Sequence, residues 1–190
     1  MVVAHEKGVT ERIECVRSVA IANDPNPALM ADNPLNKIPC LVLDDRSVLQ
    51  DSRVICEYLD ALDGKPVLFP QGEQRWSALR RQALGDGFLD LLIVWRHERN
   101  RPEELHHLSY IEAYRQKAVA TLDRLARDIP GRADFDIGDV AIGCALAYVD
   151  FRFGDLAWRD GRGDLARWFD RVAARPSFVA TPIVNDGGPR

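Results

Sequence analysis

The sequence predicts an α+β domain followed by an all-α helical domain. Before residue 51, short apolar runs are bounded by turn-forming residues, which is typical of strands. After residue 73, apolar residues recur at helical spacing almost to the end of the chain. Between these regions, residues 66–72 hold two prolines and a glycine without periodicity, which indicates a linker. We therefore assign residues 1–65 and 73–183 to two domains.

The first domain carries four structural signals before residue 51. Residues 2–7 predict a helix that Gly8 ends. Residues alternate over 12–19 in a way that predicts a strand. Residues 22–36 are rich in Asn, Asp and Pro, which favours a loop or a short irregular helix. Residues 40–50 predict a hairpin of two short strands around a polar turn.

Helical spacing begins at residue 51. A first helix is predicted over 51–62, and Asp63-Gly64-Lys65-Pro66 ends it. Four longer helical stretches follow the linker: 73–100, 103–128, 136–153 and 164–174. Pro102 suits the first turn of the second of these stretches. The third is the most apolar and is therefore expected in the core.

The segment 135–140 carries a helix-start pattern. Asp136 is a good N-cap, and Asp139 stands at the third helical position, where it can bond back to the cap. Phe135 is placed to pack on Val140 across the helix start. This pattern predicts a firmly capped core helix and has no catalytic meaning.

Composition excludes several classes of partner. The apolar fraction is 46% and the charged fraction 28%, which is ordinary for a globular protein. The formal net charge is -4 with interspersed signs, so no nucleic-acid partner is expected. No apolar run approaches the roughly 20 residues of a membrane span, and the N-terminus lacks a signal-peptide pattern.

The four cysteines predict no metal site. Cys15, Cys40, Cys56 and Cys144 form no C-x-x-C pair, and no Cys/His cluster has zinc spacing. Each stands in an apolar context, which favours buried, reduced thiols. Reduced thiols fit a cytoplasmic location.

One segment predicts a small peptide-binding site. Pro39 holds Ile38 in an extended conformation, where its backbone could pair with an extended ligand. Asp51-Ser52 places a carboxylate, a hydroxyl and free N–H groups at a helix start, where a carboxylate or amino acid head group binds well. The residues alone leave other interpretations open: a tight turn before a strand at Ile38-Pro39 and a simple N-cap at Asp51-Ser52.

These motifs, taken together, resemble the glutathione S-transferase family. The first group matches the second half of that family's thioredoxin-like domain: Asn33-Pro34-Leu35, Lys37-Ile38-Pro39, Leu41-Val42-Leu43, Asp51-Ser52 and Ile55-Cys56-Glu57-Tyr58-Leu59. Later motifs follow in the family's order: Arg75-Trp76, Asp86-Gly87, Phe135-Asp136-Ile137-Gly138-Asp139, Trp168-Phe169 and Ala174-Arg175-Pro176-Ser177-Phe178. The resemblance covers nearly the whole chain and implies a bacterial-type member.

The resemblance implies a role for each residue of the predicted site. The backbone of Ile38, beside a cis-Pro39, would pair with the cysteinyl part of glutathione. Asp51 and Ser52 would hold the γ-glutamyl end, the carboxylate meeting Ser52 and the ammonium meeting Asp51. Lys37 could meet the glycyl carboxylate, although a lysine before a strand is often only exposed.

The chain also departs from the family pattern. The family begins with a strand and a loop carrying a Ser, Tyr or Cys that activates the thiol, followed by a helix. Here residues 2–9 resemble the later half of that helix, so we expect an incomplete thioredoxin-like domain and assign no catalytic residue. Trp95, Arg96 and Arg99 could border a pocket for an electrophile, but Trp95 equally suits the core and the arginines a solvated face.

Three functional hypotheses follow from the resemblance. The first is a transferase that conjugates the glutathione thiolate to a small electrophile, as in detoxification. The second is a non-catalytic glutathione-binding or scaffold protein, and the third a glutathione-dependent reductase or isomerase. The resemblance also implies a homodimer formed through the helices at 51–62 and 73–100. Fold-level likeness does not choose among these activities.

Overall fold

A computed structural model describes residues 1–62, 66–132 and 134–184. The chain divides into two units, Met1–Val67 and Leu68–Arg190. The first unit combines short helices with a two-stranded sheet, and the second is helical throughout its regular structure. This confirms the predicted fold class, a thioredoxin-like α+β domain followed by an all-α domain.

The first unit contains a small hairpin among short helices. Its regular elements are α1 (Val2–Glu6), α2 (Pro27–Asp32), β1 (Leu41–Val42), β2 (Val48–Leu49) and α3 (Ser52–Leu62). The two strands pair antiparallel, with Leu41 opposite Leu49 and Val42 opposite Val48. The predicted hairpin and the helices at both ends of the unit are therefore confirmed. The predicted end of α3 falls partly on residues 63–65, which lie outside the described residues.

The strand predicted over 12–19 is wrong. Thr10–Arg12 forms a short 3-10 helix, and residues 13–20 adopt neither helix nor strand. A strand needs a hydrogen-bonded neighbour as well as alternating side chains, and the two-stranded sheet of the described residues does not include this segment. Val16 is consequently 78% exposed.

The prediction of buried cysteines is wrong for Cys15. Cys15, in the irregular segment 13–20, is exposed, and Cys40 and Cys56 are partly exposed. The Cys144 residue is also partly exposed, but burial of its thiol raises the pKa to about 11. All four are free thiols. For Cys15, apolar sequence neighbours therefore did not imply apolar spatial neighbours, because segment 13–20 has no strand partner among the described residues.

A buried lysine helps to hold the first unit together. The side chain of Lys7 is fully buried, its Nζ donates to the Pro66 carbonyl at 2.7 Å, and it lies 3.2 Å from Asp60 Oδ1. These contacts tie the end of α1 to α3 and to the segment that follows α3. The buried apolar side chains of the described part of this unit are Val2, Val3, Ala4, Val9, Leu29, Ile55 and Leu59.

The second unit is a bundle of helices. They are α4 (Glu73–Arg99), α5 (Leu108–Asp128), α6 (Ile137–Arg152), α7 (Gly163–Ala173) and α8 (Pro176–Val179). All four predicted helical stretches are confirmed, but the second begins later than predicted. Glu103–Leu105 forms a 3-10 helix, and His106 is extended (φ -67°, ψ 132°), so α5 starts only at Leu108.

Helices α4 and α6 approach at glycines. A Cβ atom built on Gly85 would lie 2.7 Å from the Ala141 carbonyl carbon, and one built on Gly138 would lie 2.5 Å from Arg81 Cβ. No L-residue side chain fits at such distances unless the backbone moves. The two glycines therefore allow α6 to lie against α4, and α6 is the most deeply buried helix.

The start of α6 is capped as predicted and joins a buried ionic cluster. Asp136 Oδ1 accepts from Gly138 N at 2.8 Å, and Asp139 Oδ2 accepts from Asp136 N at 3.0 Å. Arg81 pairs with Asp136, and Arg132 lies 3.1 Å from the same carboxylate. Burial raises the pKa of Asp139, and the charge on Asp136 adds to that rise. The Arg175 guanidinium stacks over the Phe135 ring at 3.7 Å.

Candidate functional site

The hairpin register brings the two halves of the predicted site to the same end of the sheet. Leu41 pairs with Leu49. Because β1 and β2 pair antiparallel, the residues just before β1 and just after β2, which include Ile38-Pro39 and Asp51-Ser52, lie at the same end of the sheet. Both halves belong to the first unit, so this arrangement depends on that unit alone.

Ile38 offers an accessible backbone edge. Its peptide bond to Pro39 is cis, and the residue is 55% exposed. Within residues 1–62, 66–132 and 134–184, we find no hydrogen bond to the Ile38 N–H or carbonyl. An exposed residue with an unsatisfied donor and acceptor can take an extended peptide as an added strand.

The N-terminus of α3 forms the opposite side of the site. As predicted, Asp51-Ser52 opens this helix, with Ser52 as its first residue. Asp51 caps it, because its Oδ1 accepts from Arg53 N at 2.9 Å and its carbonyl accepts from Ile55 N at 3.1 Å. The first N–H groups of a helix have no partner within the helix and favour anions. Ser52 is half-buried, and Asp51 is exposed.

Lys37 adds a positive charge beside this edge. It is exposed and directly precedes Ile38. Its carbonyl oxygen is held from within the chain, since Asn33 Nδ2 donates to it at 2.8 Å. The sequence motif that contains Asn33 predicted no separate role for this residue. The sequence did contain a signal for such a role, because the side-chain oxygen of an Asn in a turn often accepts from the backbone N–H two residues later.

The residues considered for an electrophile pocket lie in the second unit. Trp95 is only 2% exposed, and its ring centroid lies 4.7 Å from that of Phe153, so Trp95 is a core residue. The Arg99 guanidinium stands over both rings and also pairs with Asp155 at 3.1 Å. These contacts give Trp95 and Arg99 structural partners within their own unit.

The described residues include neither a membrane-spanning helix nor a metal-binding cluster. No helix there is long and apolar enough to cross a membrane. No group of three or more His, Cys, Asp or Glu side chains there is arranged to hold a metal ion.

A thioredoxin-like domain with an exposed edge at a cis-proline, joined to a helical domain, defines the class of the protein. Two family models match the chain: "Glutathione S-transferase, N-terminal domain" over residues 1–62 and "Glutathione S-transferase, C-terminal domain" over residues 109–171. The chain belongs to the glutathione S-transferase family.

Solved structures of relatives agree with this assignment. A glutathione transferase family member from Pseudomonas fluorescens Pf-5, with bound glutathione, is 39% identical (TM-score 0.92) and matches 96% of this chain and 92% of its own. A structure from the same organism with bound S-(propanoic acid)-glutathione is 37% identical (TM-score 0.85) and has the same coverage. The glutathione S-transferase of Methylobacillus flagellatus KT, with GSH bound, is 35% identical (TM-score 0.85), again with 96% and 92% coverage.

One curated relative is also similar. It is the uncharacterized GST-like protein YibF of Escherichia coli strain K12, 29% identical over 181 residues. The match covers 93% of this chain and 88% of that protein. Its name describes a family and no reaction, so it adds nothing on substrate.

Proposed function

We propose that this protein binds glutathione at the open end of its hairpin and conjugates the glutathione sulfur to a small electrophile. The observation that carries the proposal is the exposed Ile38, whose backbone makes no hydrogen bond within the described residues and which precedes the same end of the sheet from which α3 starts. This edge takes the cysteinyl part of the tripeptide through main-chain hydrogen bonds.

The charges around this edge match those of glutathione. The tripeptide carries a carboxylate at each end and an ammonium group beside one of them. In our proposal, Ser52 and the α3 N-terminus take the γ-glutamyl carboxylate, and the exposed Asp51 carboxylate takes the ammonium. Lys37 takes the glycyl carboxylate. Pro39, which follows Ile38 through a cis peptide bond, completes the proposed set of glutathione-binding residues.

The proposed reaction is attack by the glutathione thiolate on an electrophilic carbon. A sulfur–carbon bond forms. In a substitution, the bond between that carbon and its leaving group breaks, and the leaving group takes the electron pair. In an addition to a double bond, the π electron pair moves to the adjacent electron-withdrawing group. The relative with bound S-(propanoic acid)-glutathione holds a thioether of the kind that such a reaction makes. The free cysteines fit a reducing cytoplasm, where glutathione is abundant.

Titration calorimetry tests the binding step. We expect a glutathione Kd between about 10 μM and about 1 mM, the range of a modest binding free energy. Ser52→Ala should weaken binding about fivefold or more through one lost charge-assisted hydrogen bond. Ser47→Ala is the matched control, because Ser47 lies in the hairpin turn and its hydroxyl donates to Asp45 at 2.6 Å. Equal affinities of the wild type and Ser52→Ala would reject the site.

A conjugation assay with an aryl halide then separates the candidate functions. Thioether formation above the uncatalysed rate supports the transferase. Glutathione binding without any turnover points to a non-catalytic binding protein of the same fold. Reduction of a mixed disulfide by the protein would instead indicate a glutathione-dependent reductase.

We further propose that the protein forms a two-fold homodimer through α3 and α4. Each helix shows an exposed apolar side chain: Val54 of α3 is 47% exposed and Trp76 of α4 is 71% exposed. Burying such side chains between two copies is favourable. At protein concentrations of tens of micromolar, about the range in which dimers of modest affinity persist, light scattering should show twice the monomer mass. Trp76→Glu should shift the mass toward the monomer, and a monomeric wild type would contradict the proposal.

A further inference from the structure

Asn33 is a buried polar residue at the start of the turn that leads to Ile38. It follows α2 directly and is only 3% exposed. Its backbone N–H donates to the Leu29 carbonyl at 2.8 Å, which anchors it to α2. A buried amide of this kind is stable only where its donors and acceptors are paired.

The Asn33 side chain bonds both sides of the turn. Its Oδ1 accepts from Leu35 N at 3.1 Å, and its Nδ2 donates to the Lys37 carbonyl at 2.8 Å. The Cys40 thiol also lies 3.3 Å from the Lys37 carbonyl, but a thiol is a weak donor. The Asn33 amide is therefore the stronger of these two contacts on that carbonyl.

Holding the Lys37 carbonyl also sets the direction of the Ile38 N–H, because both belong to one peptide unit. The cis bonds of the described residues are Ile38–Pro39 and Gln50–Asp51, so the Lys37–Ile38 peptide is trans. In a planar trans peptide, the C=O and the N–H point in opposite directions. With the carbonyl drawn toward buried Asn33, the Ile38 N–H points away from it.

We propose that Asn33 is a positioning residue for glutathione binding, and that it acts by aiming the Ile38 N–H at the bound tripeptide. The proposal rests on the glutathione site proposed above. Asn33 itself does not touch the ligand. Asn33 contributes by fixing the Ile38 N–H before the ligand binds. Binding then does not bear the entropic cost of ordering that donor.

The Asn33→Asp variant tests this through its pH dependence. The ionised carboxylate can still accept from Leu35 N, but its second oxygen replaces the amide donor and faces the Lys37 carbonyl oxygen, which is also an acceptor. We therefore expect glutathione to bind about tenfold more weakly near pH 7.5. Burial raises the pKa of a carboxyl group, and the protonated form can donate as the amide did. Affinity should therefore recover to within about threefold of the wild type near pH 5.

Two further variants complete the experiment. Asn33→Ala removes the donor at every pH, so its weakened binding should not recover in acid. Asn36→Asp is the matched control, because Asn36 stands in the same turn but its side chain bonds Ile21 O and Asn26 N, each at 3.0 Å. We expect Asn36→Asp to bind within about twofold of the wild type at both pH values, since it leaves the Lys37 carbonyl untouched.

Three results would overturn the proposal: wild-type affinity in Asn33→Asp, weak binding of Asn33→Asp at both pH values, or equal loss in Asn36→Asp. If the wild type binds no glutathione at all, the proposed function fails instead. The Ile38 amide proton resonance of the unliganded protein then decides the role of Asn33. A shift in Asn33→Asp that reverses in acid supports it, and an unmoved resonance rejects it.

Discussion

The two units of this chain stabilise their structures in different ways. In the described part of the second unit, seventeen buried residues form one cluster. They come from α4, α5, α6 and α7, from Ile129 just after α5, and from the segment between α6 and α7. In the described part of the first unit, only seven apolar side chains are buried, and Val16 and Leu35 are 78% and 69% exposed. The unit with the smaller core is the one that carries the candidate ligand site.

Polar contacts compensate for part of this difference. Lys7 bonds Pro66 and Asp60 from a fully buried position, and Asn33 holds the turn before Ile38. A region with few apolar contacts opens more easily, and ligand sites are often found in such regions. We therefore expect the second unit to dominate stability, while single polar contacts in the first unit decide ligand binding.

Matched leucine truncations could break this comparison. Leu146 of α6 is fully buried in the large cluster, and Leu59 of α3 is 5% exposed in the small core. We expect Leu146→Ala to lose about 4 kcal/mol and Leu59→Ala about 2 kcal/mol, because a dense core relaxes less around a cavity. Urea unfolding followed by circular dichroism measures both. Equal losses would show that the small core is packed as tightly as the large one.

Two glycines of α4 sharpen the picture of the second unit. Gly85→Ala should cost about 1–3 kcal/mol, because the new methyl group meets the backbone of α6 and one helix must move. Gly87, two residues on, has no atom within 4 Å of its built Cβ. Gly87→Ala should instead stabilise the protein by about 0.5–1 kcal/mol through its better helix propensity. Thermal unfolding of the pair checks this, and a harmless Gly85→Ala would contradict the close helix contact.

The smallest expected effect concerns the buried Asp139. Because burial raises its pKa above the ordinary value of 3.8, the folded protein binds a proton there more tightly than the unfolded chain. Ionised Asp139 therefore costs stability at neutral pH, and that cost disappears as pH falls through the folded-state pKa. The free energy of unfolding of the wild type, relative to Asp139→Asn, should rise on acidification.

Three other carboxyls act in the opposite direction. Hydrogen bonds lower the pKa of Asp45, Glu98 and Glu112, so these groups lose stabilising interactions in acid. They are present in both the wild type and Asp139→Asn and cancel in the difference. A pH-independent difference in urea midpoint between the two proteins would reject the role given to Asp139.

Local sequence signals predicted much of the fold. The start of α3 at Ser52 and the cap at Asp136 depend on residues within one helical turn, and the structure has both. The hairpin between β1 and β2 follows from neighbouring runs and a turn. For the candidate site, the sequence predicted an extended Ile38 beside Pro39 and a helix start at Asp51-Ser52, because each depends on a short continuous motif.

Long-range contacts account for what the sequence did not predict. Segment 12–19 alternates like a strand, but whether it pairs depends on other chain segments. Lys7 looked like an ordinary end of a helix, and its burial depends on Asp60 and Pro66, more than fifty residues away. The late start of α5 follows from an extended His106, which helical spacing does not reveal.

Burial of the Lys7 ammonium group makes the amine reactivity of the chain uneven. The sequence has four lysines, of which Lys65 lies outside the described residues. Acylating reagents need an accessible amine, so exposed Lys37 and Lys117 should react while Lys7 stays unmodified. Mild acylation with mass spectrometry would then monitor the candidate site, because a ligand covering Lys37 slows labelling there and leaves Lys117 as an internal reference.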